Sequence, residues 1–252
     1  MFDTDTIVDT GNAGGFPEPF AILASTHDDC DAASLLDTMI TSVFAGRIAL
    51  VSSFGVEAAV LLDLVAGVDR DTPVIFNDTG KLFPETIAYR DHLIERLGLT
   101  NVRTIGPGAE SVASQDSDGN LRSRDPNACC ALRKVAPLEA TLAGFDAWIS
   151  GRKRFHDDGR KSLEIIEVDG ERVKINPLTH WTEADIERYM VHHNLPRHPL
   201  AAEGFASLGC QTCTRRIAAG EGIRAGRWSG TGKTECGIHL SGGPLVRGAV
   251  GR

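Results

Sequence analysis

Nowhere does this 252-residue chain carry an apolar run approaching the roughly 18 residues of a membrane span, which excludes a helical integral membrane protein. Positive charge is short as well. With 26 basic against 34 acidic residues the formal charge is -8, which argues against a broadly basic nucleic-acid surface. Residues 1–10 lack the basic-then-apolar pattern of a secretory signal, so a cytoplasmic location is expected. No Pro/Gly/Ser-rich linker divides the middle of the chain, and neither an internal repeat nor a low-complexity tract is found, so one body with appendages follows. Also missing are the lysine-bearing Gly-rich loop of nucleoside triphosphatases and the dinucleotide fingerprint.

What is present is ordinary globular usage, 42% hydrophobic and 24% charged, enough to bury a sizeable core. Residues 1–20, broken by Gly11, Gly14, Gly15, Pro17 and Pro19, read as a loose N-terminal arm. Residues 21–200 read as an α/β core, with periodic signals starting near residue 32, and 201–252 as a Gly-rich tail that carries three of the six cysteines and is expected to be functional. Strands are expected at 47–51, 73–76, 102–105, 147–150 and 173–175. Helices are expected at 56–66, closed by Gly67, and from Pro84 to Leu97, stopped by Gly98. A helical stretch from Ala131 to Leu142 should be bent or broken by Pro137, and Thr182 with Asp185 forms a capping box for a helix through His193. Strands alternating with helices give an α/β fold, a parallel twisted sheet covered by helices, with ligands at the carboxyl ends of the strands.

Candidate chemistry falls on that edge and in the tail. The loop Ser52-Ser53-Phe54-Gly55 joins a buried strand to a helix N-terminus, where unpaired N–H groups favour an anion, though a plain strand-to-helix turn fits equally. Asp78-Thr79-Gly80-Lys81 follows the second strand and reads as a ligand loop or a surface turn. The thiols are more specific. Cys129-Cys130 and the Cys210-x-x-Cys213 pair could hold zinc or an iron–sulfur cluster, or be small buried cysteines. A vicinal pair suits separate irons better than one tetrahedral ion, which favours 4Fe-4S. Cys236, beside Lys233 and His239, suits a nucleophile or a spectator thiol, and Cys30 has no partner pattern. The arginines Arg152, Arg154 and Arg160, Arg215 and Arg216, Arg224 and Arg227 suggest an anionic small ligand, although any single one could be solvated. Trp148 and Trp181 are assigned to the core.

Taken together, Ser52–Gly55, Asp78–Thr86, Cys129-Cys130 with Arg133-Lys134, Ile149–Arg152, Lys174–Leu178, Cys210-x-x-Cys213, Arg224–Trp228 and Lys233–His239 resemble the assimilatory adenylylsulfate reductases of the phosphoadenylylsulfate reductase family. The likeness runs from about residue 45 to 240. It implies an adenine nucleotide alpha-hydrolase-like fold whose serine loop is a modified pyrophosphate loop. It also implies reduction of adenosine 5′-phosphosulfate to sulfite and AMP, with thioredoxin or glutaredoxin supplying electrons and cysteine biosynthesis as the setting. By position, Cys236 is similar to the nucleophile that becomes an S-sulfocysteine, and Cys129, Cys130, Cys210 and Cys213 to the 4Fe-4S ligands. Lys134 corresponds to a lysine between cluster and substrate. Ser52, Ser53, Phe54, Gly55, Asp78, Thr79, Gly80, Arg160, Arg224, Arg227 and His239 correspond to substrate-binding positions. Two departures stand out: the segment around His156 to Gly159 replaces a Gln-containing run, and Ala58 stands where many relatives have Ser. The resemblance implies neither a nucleic-acid nor a membrane partner and leaves a homo-oligomer open. Rival readings are a reductase of the 3′-phosphorylated nucleotide or of both, an ATP pyrophosphatase with a zinc site, and a thiolate-metal redox sensor.

Overall fold

The computed structural model describes residues 31–156, 158–231 and 233–239. The expected N-terminal arm and Cys30 lie outside the described residues. The chain enters through helix α1, Ala32–Thr38, capped by the Asp31 carboxylate and continued by a π-type turn at Met39–Val43. Then follow β1 Ile48–Ser52, α2 Ala58–Val68, β2 Val74–Asn77, α3 Pro84–Leu97 and β3 Val102–Ile105. Gly98 ends α3 in the left-handed conformation at φ 65°, as its position after a periodic run predicts. Short helices α4 Ala109–Gln115, α5 Leu121–Arg124 and α6 Pro126–Cys130 lead to α7 Ala136–Leu142, then β4 Ala147–Ser150, β5 Ile166–Asp169, β6 Arg172–Ile175 and α8 Glu183–His192. The capping box at Thr182 and Asp185 is formed, with each side chain accepting from the other's backbone N–H.

Six strands make one sheet in the order β3-β2-β1-β4-β6-β5, parallel except for the antiparallel pairing of β5 with β6. Period-two alternation sorts the central strands onto two cores. Ile48, Leu50, Val74, Phe76 and Ile149 pack on one face with α1, α2, α3 and α8, whereas Ala49, Ile75 and Trp148 pack on the other with Leu138 and Leu142 of α7. Both faces are therefore covered, which is why these strands read as continuous apolar runs.

Three expectations are corrected. The sheet is not wholly parallel, because β5 and β6 form a hairpin with Gly170-Glu171 as its turn and Gly170 at φ 66°. Pro137 does not break its helix: a π-type turn at Ala131–Val135 lies just upstream, so the missing N–H falls at the start of α7. The second helix starts at Ala58, not residue 56, which leaves Val56 and Glu57 in the loop. Among the described residues no helix is long and apolar enough to cross a membrane.

The strand order reverses between β1 and β4. In such sheets the crevice beyond the carboxyl ends of the strands is the place for a ligand. A buried imidazole helps fix the wall of that crevice. His198 is 1% exposed, its Nδ1 accepts from Leu200 N at 3.2 Å, and its Nε2 therefore carries the proton, donated to Thr86 Oγ1 at 3.1 Å. Burial pulls His198 down to about 4, below the ordinary value of 6.5. A folded pKa below the unfolded one means stability held above pH 6.5 and lost as pH falls toward about 4, up to roughly 3 kcal/mol. Urea unfolding across that window should show the loss, and His198→Gln should remove this part of the pH slope.

Candidate active site

Three loops at the carboxyl ends of β1, β2 and β4 meet the C-terminal segment around a cavity of about 230 Å³. The β1 loop is strained. Phe54 adopts φ 48° with its ring fully buried edge-on against Phe76 at 5.3 Å, and its N–H donates to Ser52 Oγ at 3.2 Å. That buried ring anchors the loop while Ser52, Ser53 and Gly55 line the cavity. In the β2 loop Asp78 Oδ1 accepts from Gly80 N at 2.9 Å, and Gly80 takes φ 68°, so these two residues build the turn that presents Thr79. Of the loop residues singled out in the sequence, Ser52, Ser53, Gly55 and Thr79 reach the cavity, and Phe54, Asp78 and Gly80 support it without lining it.

Cations crowd the wall. Lys134, Arg152, Lys153, Arg160, Arg224 and Arg227 all line the cavity, with His239 beside them, and the acids facing them are Glu57 and Glu235. Glu57 Oε2 lies 2.8 Å from both Lys153 Nζ and His156 Nε2. Burial alone would raise the Glu57 carboxyl, but His156 and Lys153 outweigh it and hold the group at about 2. Glu235 is likewise kept below its ordinary value, because Arg160 and Arg224 outweigh its burial. Burial together with Lys174 and Arg152 pushes His239 well below 6.5, so it is neutral, stacked near Trp148 at 6.1 Å. The Nε atoms of Arg152 and Arg227 and Nδ1 of His239 are buried with no hydrogen-bond partner among the described residues. Such groups are costly unless an acceptor meets them.

Cys236 stands on this wall at 7% exposure. The neighbouring Cys130 thiol, with Lys134 and Arg227, holds Cys236 well below the usual thiol range against the effect of burial. Behind it, Cys129, Cys130, Cys210 and Cys213 line a second cavity of about 100 Å³, together with Arg133, Lys134 and Trp228. No three His, Cys, Asp or Glu side chains among the described residues form a set for a single metal ion. The four thiols line this one space, a soft donor set of the kind that iron–sulfur clusters and zinc share. Its wall is braced by Arg133, which pairs with Asp116 at 2.6 Å and donates to the Thr79 carbonyl at 2.8 Å, while Thr79 Oγ1 lies 3.2 Å from Cys210 Sγ. Asn77 Nδ2 holds the Lys134 carbonyl at 2.9 Å, which fixes the start of this turn.

Sequence reasoning had not singled out Glu57, Lys153, His156, Glu235 or Asn77. Their roles are set by partners far along the chain, 99 residues away for His156 and Glu57 and 75 for Arg160 and Glu235.

A phosphoadenosine phosphosulfate reductase domain matches residues 47–216. An adenosine 5′-phosphosulfate reductase of Mesorhizobium japonicum is 49% identical over 208 residues, 82% of this chain and 82% of that protein. One of Streptomyces coelicolor is 43% identical over 78% of this chain and 83% of its own. A phosphoadenosine 5′-phosphosulfate reductase of Gloeobacter violaceus is 40% identical over 78% and 83%. Among solved structures, a phosphoadenylyl-sulfate reductase of Candida auris in a phosphate complex superposes with a TM-score of 0.68 at 22% identity, covering 81% of this chain and 100% of that one. A Candida glabrata FMN adenylyltransferase shares the fold at a TM-score of 0.51, with 19% identity over 73% of this chain and 64% of its own.

Because Lys153 is 4% exposed, removing Glu57 leaves a buried ammonium without its countercharge. Glu57→Ala should lower unfolding stability by about 3 kcal/mol in urea titrations at neutral pH. A loss under 1 kcal/mol would show that the pair is solvated.

Proposed function

The chain belongs to the phosphoadenosine phosphosulfate reductase family, and from that premise we propose that it reduces adenosine 5′-phosphosulfate to sulfite and AMP in sulfate assimilation, in the cytoplasm. The observation that carries the reading is the placement of one thiol, Cys236, on a cavity wall dense in cations, where Arg152, Arg227 and His239 offer polar atoms that no group among the described residues satisfies. A phosphosulfate supplies the missing acceptors. The β1 loop and the apolar floor at Val51, Ala58 and Leu61 suit the nucleoside end.

The chemistry follows from the charges. A thiolate approaching a sulfate group is repelled unless cations neutralise the substrate, and Lys134 and Arg227 stand nearest that task. Cys236 Sγ attacks the sulfur atom, the sulfur–oxygen bond to the phosphate breaks, and AMP leaves with the bonding pair on its phosphate. The product is an S-sulfocysteine on Cys236. A dithiol protein of the thioredoxin or glutaredoxin class then attacks Cys236 Sγ, sulfite departs, and the second thiol closes the donor's disulfide. The dithiol thereby provides the two electrons by which sulfur is reduced.

Cys129, Cys130, Cys210 and Cys213 would hold a 4Fe-4S cluster. When bound, it supplies iron–thiolate bonds that tie α6 to the 3-10 turn Gln211–Cys213 directly behind the nucleophile. This chain's own Arg133, Asp116 and Thr79 hold the β2 loop against that wall.

Kinetics with both nucleotides test the proposal. Adenosine 5′-phosphosulfate should release sulfite with a higher kcat/KM than its 3′-phosphorylated analogue, and the reverse order would overturn the substrate assignment. Anaerobically purified protein should carry about four irons, lost in Cys129→Ser and Cys213→Ser. Stoichiometric zinc without iron would refute the cluster.

A further inference from the structure

We propose that Glu235 is a positioning residue: its carboxylate docks the C-terminal segment onto Arg160 and Arg224, so that these guanidiniums hold Cys236 at the cavity. Its meaning for turnover rests on Cys236 as the nucleophile, while the docking contact stands on geometry alone. Arg160 gives both Nε and a terminal nitrogen to Glu235 Oε2, at 2.8 and 2.6 Å. Arg224 donates to Oε1 at 3.2 Å and to the Thr234 carbonyl at 3.1 Å, and the Cys236 N–H donates to Oε1 at 2.9 Å. One carboxylate therefore joins Arg160 of the core and Arg224, earlier in the C-terminal segment, to the backbone of the thiol residue itself.

The contact is sheltered, with the Arg160, Arg224 and Glu235 side chains 7%, 10% and 19% exposed, so water screens it far less than a surface pair. Arg160 is itself fixed, since its other terminal nitrogen lies 3.4 Å from His156 Nδ1 and His156 is held by Glu57. The segment is seated from both sides of Cys236. Upstream, Lys233 Nζ donates to Asn127 Oδ1 at 2.6 Å; downstream, a Cβ on Gly237 would lie 3.0 Å from Val135 Cγ2, so that only glycine lets the backbone come this close without displacing it. Arg160 spends its lateral fork on Glu235, which is the geometry it would otherwise offer a phosphate or sulfate. The docked state thus leaves the substrate to Lys134, Arg152, Arg227 and His239.

Alkylation of ligand-free, cluster-loaded protein by iodoacetamide, read by mass spectrometry on the peptide containing Cys236, tests the contact without any substrate. Glu235→Gln and Arg160→Gln should each raise the rate at Cys236 about tenfold, and the double variant should exceed the larger single effect by less than twofold. Glu235→Asp, which keeps the charge on a shorter stem, should fall between parent and Glu235→Gln, and it decides the matter if the glutamine variant does not fold. In turnover, Glu235→Gln should lower kcat about tenfold with KM for adenosine 5′-phosphosulfate within threefold. Rates within twofold of the parent for the single variants, or effects that multiply in the double variant, would overturn the proposal. So would a raised KM in Arg160→Gln with unchanged alkylation, since Arg160 would then serve the substrate alone. Failure to release sulfite alongside the expected alkylation pattern would count against the reaction and not against the docking.

Discussion

Positive charge packed around one cavity, and the need to balance it, organises this molecule more than any other interaction. Six lysines and arginines face a space of about 230 Å³, a density that like-charge repulsion would disperse without partners. Three carboxylates offset part of it, Glu167 by pairing with Arg152 at 3.0 Å. Glu57 ties Lys153 and His156 to the loop after β1, and Glu235 ties Arg160 and Arg224 to the segment that carries Cys236. The remaining excess belongs to an anion. A neutral or cationic substrate would add nothing to this balance, which is why the site reads as one for a doubly anionic mixed anhydride.

The sheet supplies the rigidity such a site requires. Loops leaving β1, β2 and β4 converge at the reversal of strand order, and each is pinned by something buried: the Phe54 ring, the Arg133 guanidinium donating to the Thr79 carbonyl, and the Lys153 ammonium. Strain at Phe54 is sustained because its ring is fully enclosed by the core on that face of the sheet. Cys236, the proposed nucleophile, sits on a segment with little secondary structure, held by charge and by a close glycine contact instead of a hydrogen-bonded ladder. Such a segment can leave and return, as delivery of a thiol adduct to a protein donor demands.

Much of this was legible in the residues. Strand alternation, Gly98 as a stop and the Thr182 box are local signals, and local physics decides them. The thiols at 129, 130, 210 and 213 stood out by their vicinal and Cys-x-x-Cys pairing, and all four line one cavity. The partners of the acids were not. Nothing near Glu57 tells that His156 will meet it, because sheet topology makes that contact. Arg160 and Arg224, which read as substrate groups, do line the cavity, and the same guanidiniums also meet the Glu235 carboxylate, a contact that no local signal announces. The β5 hairpin was missed although Asp169-Gly170 between alternating apolar residues carries a turn signal; only four residues of alternation precede it.

The central claim is that the thiol of Cys236 accepts the sulfo group directly. Reduced protein incubated with adenosine 5′-phosphosulfate and no dithiol donor, then digested and mapped by mass spectrometry, measures it. The account predicts one sulfonate on Cys236, formed with one equivalent of AMP and discharged as sulfite when a dithiol is added. An unmodified Cys236 after AMP has been released, or a sulfonate on any other cysteine, would contradict it.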